Sequence, residues 1–204
     1  MKKKYSELML EVTDKELLKS LYLTQLFLLI LSLILGFFLF DDVREFAALF
    51  KWDINQIFLW GGSAGVAVFL LDYLLMKLLP SHYYDDGGLN ERIFQTRPVV
   101  EIAMISGIVS IAEEILFRGV IQTHVGLILS SLIFAFVHFR YLFNKFLFIN
   151  VIGLSFLIGF IYDRTENLLV TILMHFMIDF LLGCLIKYNF IQSKKQNEQE
   201  GIIE

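Results

Sequence analysis

A run of twenty residues without a single charge, residues 21–40, is the feature that most constrains this chain. A helix of that length, rising about 1.5 Å per residue, crosses the roughly 30 Å hydrocarbon core of a bilayer. The composition of the chain agrees, because 57% of its 204 residues are hydrophobic and only 19% are charged. A soluble domain carries about a quarter charged residues to cover its surface. The sequence therefore predicts a membrane protein.

Six apolar segments separated by polar breaks predict an all-α, polytopic membrane helix bundle of about six spanning helices. They are residues 21–40, 54–79, 99–122, 127–139, 145–162 and 167–187. The fourth is short, and we expect its helix to continue beyond Arg140 or to begin before Leu127. In the second, small residues from Gly61 to Gly65 predict close helix contact, whereas Asp72 has no evident partner.

The distribution of charge along the chain predicts its orientation. The net charge of −4 offers no basic face for nucleic acid, so no nucleic-acid partner is expected. With both termini in the cytoplasm, thirteen of the seventeen Lys and Arg residues fall on the inside, as the positive-inside rule requires. These are Lys2, Lys3, Lys4, Lys15, Lys19, Lys77, Arg92, Arg97, Arg140, Lys145, Lys187, Lys194 and Lys195, against Arg44, Lys51, Arg118 and Arg164 outside.

The third segment carries three ionisable residues, each costly inside a membrane unless paired. Arg118 follows Glu114 by four residues, and at about 100° per residue it lies about 40° from Glu114 but about 140° from Glu113. We therefore expect Glu114 and Arg118 to pair, which leaves Glu113 available. A carboxylate held away from its nearest cation in apolar surroundings can act as a general base on water.

The fourth and sixth segments supply two histidines. His138 follows Phe134 by one turn, and His175 precedes Asp179 by four residues on the same helix face. Each feature alone is more often structural, as an ion pair or a hydrogen-bonded core histidine. Together, a free Glu and two His on three spans favour one site, because lipid cannot satisfy polar groups and they converge.

The ordered motifs EExxxR (Glu113, Glu114, Arg118), FxxxH (Phe134, His138) and Hxxx[N/D] (His175, Asp179) resemble the CAAX prenyl protease and bacteriocin-processing family. This family, also called CPBP or Abi, includes type II CAAX endopeptidases and lysostaphin resistance protein A-like proteins. The resemblance covers roughly residues 95–187. It implies an all-helical intramembrane endopeptidase.

The resemblance also implies roles for these residues. Glu113 looks like the base that activates water, His138 its partner in holding that water, and His175 with Asp179 the group that stabilises the oxyanion. Glu114 and Arg118, with Phe134 packed beside His138, look structural. The last motif position is Asn in the prenyl proteases, and an ionised Asp179 cannot donate to an oxyanion, so it would orient His175 or bind a metal.

The residues alone do not decide whether the site holds a metal cofactor. Glu113, His138 and His175 would make a two-His, one-carboxylate set for Zn²⁺ or another divalent metal, with an open position for water. A metal-free glutamate mechanism uses the same three residues. The spacing does not decide between them, because the ligands come from three helices and no HExxH motif is present.

The predicted organisation has four parts. Residues 1–20 form a cytoplasmic N-terminal segment, 21–98 two accessory transmembrane helices with their connecting loop, 99–187 a CAAX-protease-like catalytic bundle, and 188–204 a polar cytoplasmic tail. The expected partners are the lipid bilayer and a membrane-associated protein or peptide substrate, of CAAX, bacteriocin or pheromone type, in a bacterial plasma membrane. The alternatives are a non-catalytic membrane regulator or bacteriocin-immunity protein of the same fold, and a proton-coupled transporter.

Overall fold

The structure is a computed structural model that describes residues 12–200, apart from the side chains of Arg140, Phe143 and residues 198–200. The described part consists of helices joined by short turns and contains no strand. Its helices are α1 (Asp14–Leu39), α2 (Val43–Ala47), α3 (Ile54–Leu78), α4 (Leu89–Phe94), α5 (Val99–Glu114), α6 (Thr123–Val137), α7 (Lys145–Thr165) and α8 (Leu168–Glu200). A π-helical segment, Ile115–Gln122, joins α5 to α6. Of the predicted N-terminal segment, residues 1–11 lie outside the described part, as do residues 201–204 of the predicted tail.

Five helical stretches of the described chain are long and apolar enough to cross a membrane. They confirm the predicted polytopic helix bundle. The longest stretch, Val99–Val137, combines the third and fourth predicted segments and is interrupted at Gly126, where φ is 80° and ψ is 170°. A side chain is strained in that backbone conformation, whereas glycine adopts it readily.

The chain turns back on itself at Gly126. Ser130 Oγ donates a hydrogen bond of 2.7 Å to Phe117 O, although an unbroken helix would separate residues thirteen apart by about 20 Å. The rings of Phe117 and Phe134 also meet, with their centroids 4.9 Å apart. The third and fourth segments therefore form a helical hairpin, which accounts for six apolar segments in five long stretches.

The fourth segment also differs from expectation at its far end. Of the two alternative extensions, the helix begins before Leu127, at Thr123, and it does not continue beyond Arg140, because α6 ends at Val137 and His138 leaves the helical conformation with ψ of 40°. A 3₁₀ turn, Phe139–Phe143, follows before Asn144 caps the start of α7. The short helix therefore stops inside the bundle and presents His138 at its end.

Contacts between segments define two ends of the bundle. At one end, which we call the tail end, Arg92 Nε pairs with Asp14 Oδ1 at 2.8 Å and Lys187 Nζ donates to Arg97 O at 2.6 Å. At the other, the loop end, His124 Nε2 lies 3.0 Å from Leu39 O. The apolar segments run between these ends, except that α6 stops part of the way at Val137, and both termini of the described chain lie at the tail end.

Other helices pack around α5 and α8, the helices that carry the acidic motif and His175. Leu28, Leu31 and Leu35 of α1 pack against the buried Leu116 and Phe117 of the π-helical segment. The small-residue patch of α3 lies against α8 as predicted, since a Cβ on Gly65 would stand 2.7 Å from Met177 Cβ. The first two spanning helices are thus packed directly on the helices that carry the three motifs.

Candidate active site

The adjacent acids of α5 point in different directions, as their spacing predicts. Glu114 is fully buried and its Oε2 lies 3.4 Å from Arg118 Nε, which confirms the predicted pair. Glu113 turns away from Arg118 and faces two imidazoles. Its Oε2 lies 4.0 Å from His138 Nε2 and also 4.0 Å from His175 Nε2. The structure therefore brings Glu113 and both motif histidines together.

His138 is held by the end of α6. Its Nδ1 lies 2.8 Å from Phe134 O, and its ring centroid is 4.5 Å from that of Phe134. A carbonyl oxygen can only accept, so Nδ1 carries the proton and, in the neutral ring, Nε2 keeps a lone pair toward Glu113. The ring of Tyr141 lies nearly parallel to the imidazole, with the centroids 6.1 Å apart. The bond to Phe134 O and the contact with the Phe134 ring thus set the orientation of the imidazole.

His175 connects all three carboxylates of the site. Its Nδ1 lies 3.0 Å from Glu114 Oε1, a hydrogen bond that the sequence did not predict. Its Nε2 lies 3.6 Å from Asp179 Oδ2, which confirms that the two residues share a helix face. Since Nδ1 is engaged with the buried Glu114, Nε2 is the atom that faces Glu113 and Asp179.

The site lies at mid-depth and opens on one side. Helix rise places Glu113, His138 and Asp179 about 14 to 18 Å from the loop end, near the middle of a hydrocarbon core of about 30 Å. The side chains of Glu114 and Arg118 are completely buried, whereas those of His138 and Asp179 are 23% and 31% exposed. Access to Glu113 is therefore from the side of His138 and Asp179.

The three candidate metal ligands fit a shared water better than a zinc ion. Ligand atoms at the corners of a tetrahedral zinc site stand about 3.3 Å apart, given bonds of about 2.0–2.1 Å. Glu113 Oε2 is 4.0 Å from each imidazole Nε2, and the described residues hold no group of three His, Cys, Asp or Glu arranged to bind a metal. Two atoms 4.0 Å apart can both reach one water at a hydrogen-bond distance of about 2.8 Å.

Arg118 has further partners that sequence reasoning missed. Its Nη1 donates to Gln122 Oε1 at 3.3 Å and its Nη2 to Ser155 Oγ at 3.0 Å. Its guanidinium carbon also lies 5.3 Å from the centroid of the Phe134 ring. Gln122, one turn after Arg118, was detectable as a polar residue within an apolar segment. Ser155 comes from α7 and had no local signal.

The other two histidines of the chain and Asp72 lie elsewhere. His82 is exposed near the tail end and stacks on Tyr83, while His124 lies at the loop end between two backbone carbonyls. Asp72 is half-buried on α3 and contacts no site residue. None of the three belongs to the cluster around Glu113.

Comparison with known proteins places these motifs in one matched region. Residues 95–181 match the family model described as type II CAAX prenyl endopeptidase Rce1-like, and Glu113 through Asp179 all fall within it. The uncharacterized protein YpbD of Bacillus subtilis (strain 168) is 44% identical over 178 residues, 86% of this chain and 93% of that protein. UPF0177 protein YxdF of Lactococcus lactis subsp. lactis (strain IL1403) is 28% identical over 149 residues, 67% and 81% of the two chains. No solved structure matches this chain.

Proposed function

The chain belongs to the type II CAAX prenyl endopeptidase Rce1-like family, and on that premise we propose that it hydrolyses a peptide bond of a membrane-associated protein or peptide. One observation carries the proposal. Glu113 Oε2 stands 4.0 Å from the Nε2 atoms of two histidines that come from other helices. A base and two imidazoles around a water-sized gap form the constellation that amide hydrolysis needs.

The first step is activation of water. A water between Glu113 and His138 donates one hydrogen to the carboxylate, and the neutral His138 accepts the other at Nε2. Glu113 is freed from Arg118 by the Glu114 pair, so its carboxylate is available as the general base. As Glu113 takes the proton, the hydroxide oxygen attacks the carbonyl carbon of the substrate.

The second step is stabilisation and collapse of the tetrahedral intermediate. His175 in its imidazolium form carries N–H groups at both nitrogens, so Nε2 can donate to the oxyanion while Nδ1 stays bonded to Glu114. Asp179, 3.6 Å from Nε2, orients that donor. The carbon–nitrogen bond then breaks, and Glu113 returns its proton to the leaving amine.

The location of the site supports a membrane-held substrate. Its mid-depth position and one-sided opening suit a CAAX-type protein, or a bacteriocin or pheromone precursor, that is anchored in the bilayer beside the enzyme. The relatives YpbD and YxdF come from Bacillus subtilis and Lactococcus lactis, which supports a bacterial plasma membrane. A protease needs Glu113 and His138 for its activity, whereas a non-catalytic regulator of the same fold does not.

Comparative peptidomics tests the proposal without a known substrate. Membrane fractions from cells that carry the wild-type chain should contain cleaved peptides that are absent when the chain is Glu113→Gln. The matched control is Asp72→Asn, which changes an acid within a span but outside the site. We expect this control to release the same peptides as the wild type.

The purified protein gives the direct test. Cleavage of an identified product's precursor, tethered to liposomes, should fall by about 10² to 10⁴ in Glu113→Gln and in His138→Ala, the range expected for loss of a general acid–base group. His82→Asn is the histidine control and should retain activity. Undiminished cleavage by Glu113→Gln would contradict the proposal, and a cellular phenotype that survives this substitution would favour the regulator.

A further inference from the structure

The buried pair of Glu114 and Arg118 is one part of a longer polar chain. Gln122 lies next along it, with Oε1 accepting from Arg118 Nη1 at 3.3 Å. The amide nitrogen of Gln122 donates to Gly159 O and to Asp163 Oδ1, each at 2.7 Å. Polar contacts connect His175 with Asp163, which is exposed on α7 near the loop end. All of them are hydrogen bonds except the 3.4 Å ion pair between Glu114 Oε2 and Arg118 Nε.

The donors and acceptors along this chain admit one arrangement. The carbonyl of Gly159 and the carboxylate of Asp163 can only accept, so both hydrogens of the Gln122 amide are used on them. The amide oxygen must then face Arg118, which has only donors. Gln122 is 4% exposed and Arg118 is fully buried, so a side chain without an amide would leave Arg118 Nη1 without this acceptor and away from water.

We infer that Gln122 and Asp163 are positioning residues for the proposed reaction. They fix the guanidinium of Arg118, and Arg118 in turn fixes the carboxylate of Glu114. Glu114 holds Nδ1 of His175, so that Nε2 of His175 faces Glu113. The inference rests on the proposed function, because it assigns the two residues a role in the same site. Neither touches the site itself, since Gln122 lies two helical turns from Glu113 toward the loop end.

A kinetic comparison tests this role. In Gln122→Leu and Asp163→Ala we expect kcat to fall by about 10- to 100-fold, as for other hydrogen-bonded residues that support a reacting group. KM should stay unchanged, because both residues lie away from the open side of the site. Asp163→Asn retains an oxygen that accepts from Gln122 and should restore kcat. The matched control is Glu166→Gln. Glu166 lies three residues after Asp163 and is an exposed acid that pairs with Lys51.

A second measurement does not depend on catalysis. The chain has four histidines, so histidine-selective ¹⁵N labelling yields few imidazole signals, and His175→Asn identifies those of His175. In Gln122→Leu the Nδ1–H signal of His175 should shift or broaden, while Glu166→Gln should leave it in place. An unchanged His175 signal in Gln122→Leu overturns the inference. Absence of cleavage by the wild-type protein instead overturns the proposed function, and the His175 signal still decides the positioning role.

Discussion

At Asp179 a carboxylate occupies the position that an amide holds in the prenyl proteases. Its Oδ2 lies 3.6 Å from His175 Nε2, which suits an acceptor that orients an N–H donor. An Asn at this position keeps an accepting oxygen and adds an N–H₂ group that can itself donate to an oxyanion. We therefore propose that the carboxylate acts through His175, whereas an amide could act directly.

This difference predicts that Asp179→Asn keeps activity within about tenfold of the wild type, whereas Asp179→Leu loses about 10²-fold, the range for loss of an oxyanion-stabilising group. The initial rate of cleavage of the liposome-tethered substrate measures both. An Asn variant as inactive as Glu113→Gln would show that the negative charge itself is required.

The 4.0 Å spacings around Glu113 Oε2 lead to a prediction about metal. If one water, rather than an ion, fills the space between Glu113, His138 and His175, then incubation with 1,10-phenanthroline or EDTA should leave the cleavage rate unchanged. Elemental analysis of the purified active protein should find far less than one zinc per chain. Loss of activity on chelation, restored by added Zn²⁺, would instead show that the three residues close around an ion.

At the scale of the element, the close approach of α7 to the π-helical segment decides whether the polar contacts from His175 to Asp163 can form. A Cβ on Gly159 would collide first with Leu127 Cδ1, and it would also stand 2.7 Å from Gln122 Oε1 and 3.3 Å from Arg118 Nη1. Gly159→Ala should therefore lower stability by about 1–3 kcal/mol, the usual cost of overpacking, and should also lower kcat. The thermal midpoint in detergent and the cleavage rate measure the two effects.

Gly153 provides the matched control for that substitution. It lies on the same helix, and a Cβ there would meet nothing within 4 Å. Replacing an exposed helical Gly by Ala should stabilise α7 slightly, by up to about 1 kcal/mol. A Gly153→Ala variant as impaired as Gly159→Ala would mean that α7 tolerates no change at all, rather than that Gln122 and Arg118 need the space.

The elements also show which features of the fold local sequence patterns can predict. The apolar segments and the Glu114–Arg118 pair follow from local hydropathy and helical spacing, and the structure confirms them. The early end of α6 has no such signal, because no Gly or Pro lies between Val137 and Asn144 to mark it. The bonds of Glu114 to His175 and of Arg118 to Ser155 join residues 61 and 37 positions apart. They depend on the register between helices, which local periodicity does not encode.

At the scale of the whole molecule, the two ends of the bundle divide the basic residues unequally. The turns and helix ends of the tail end hold most of them, whereas the loop end holds Arg44, Lys51 and Arg164. The predicted inside residues Lys2, Lys3 and Lys4 lie outside the described residues, in the sequence that precedes the tail end. The positive-inside rule then predicts a cytoplasmic tail end, with the site reached from mid-membrane.

Labelling of single cysteines tests this orientation. Cys184 is the one native cysteine, so a Cys184→Ser background allows a thiol to be placed on either side. Arg44→Cys lies exposed at the loop end and should react with a membrane-impermeant maleimide in intact cells. Lys194→Cys, exposed on the far part of α8, should react only after lysis. The reverse labelling pattern would mean that the loop end faces the cytoplasm, together with the positioning residue Asp163. Labelling of both thiols in intact cells would contradict the arrangement in which Arg44 and Lys194 lie at opposite ends of the bundle.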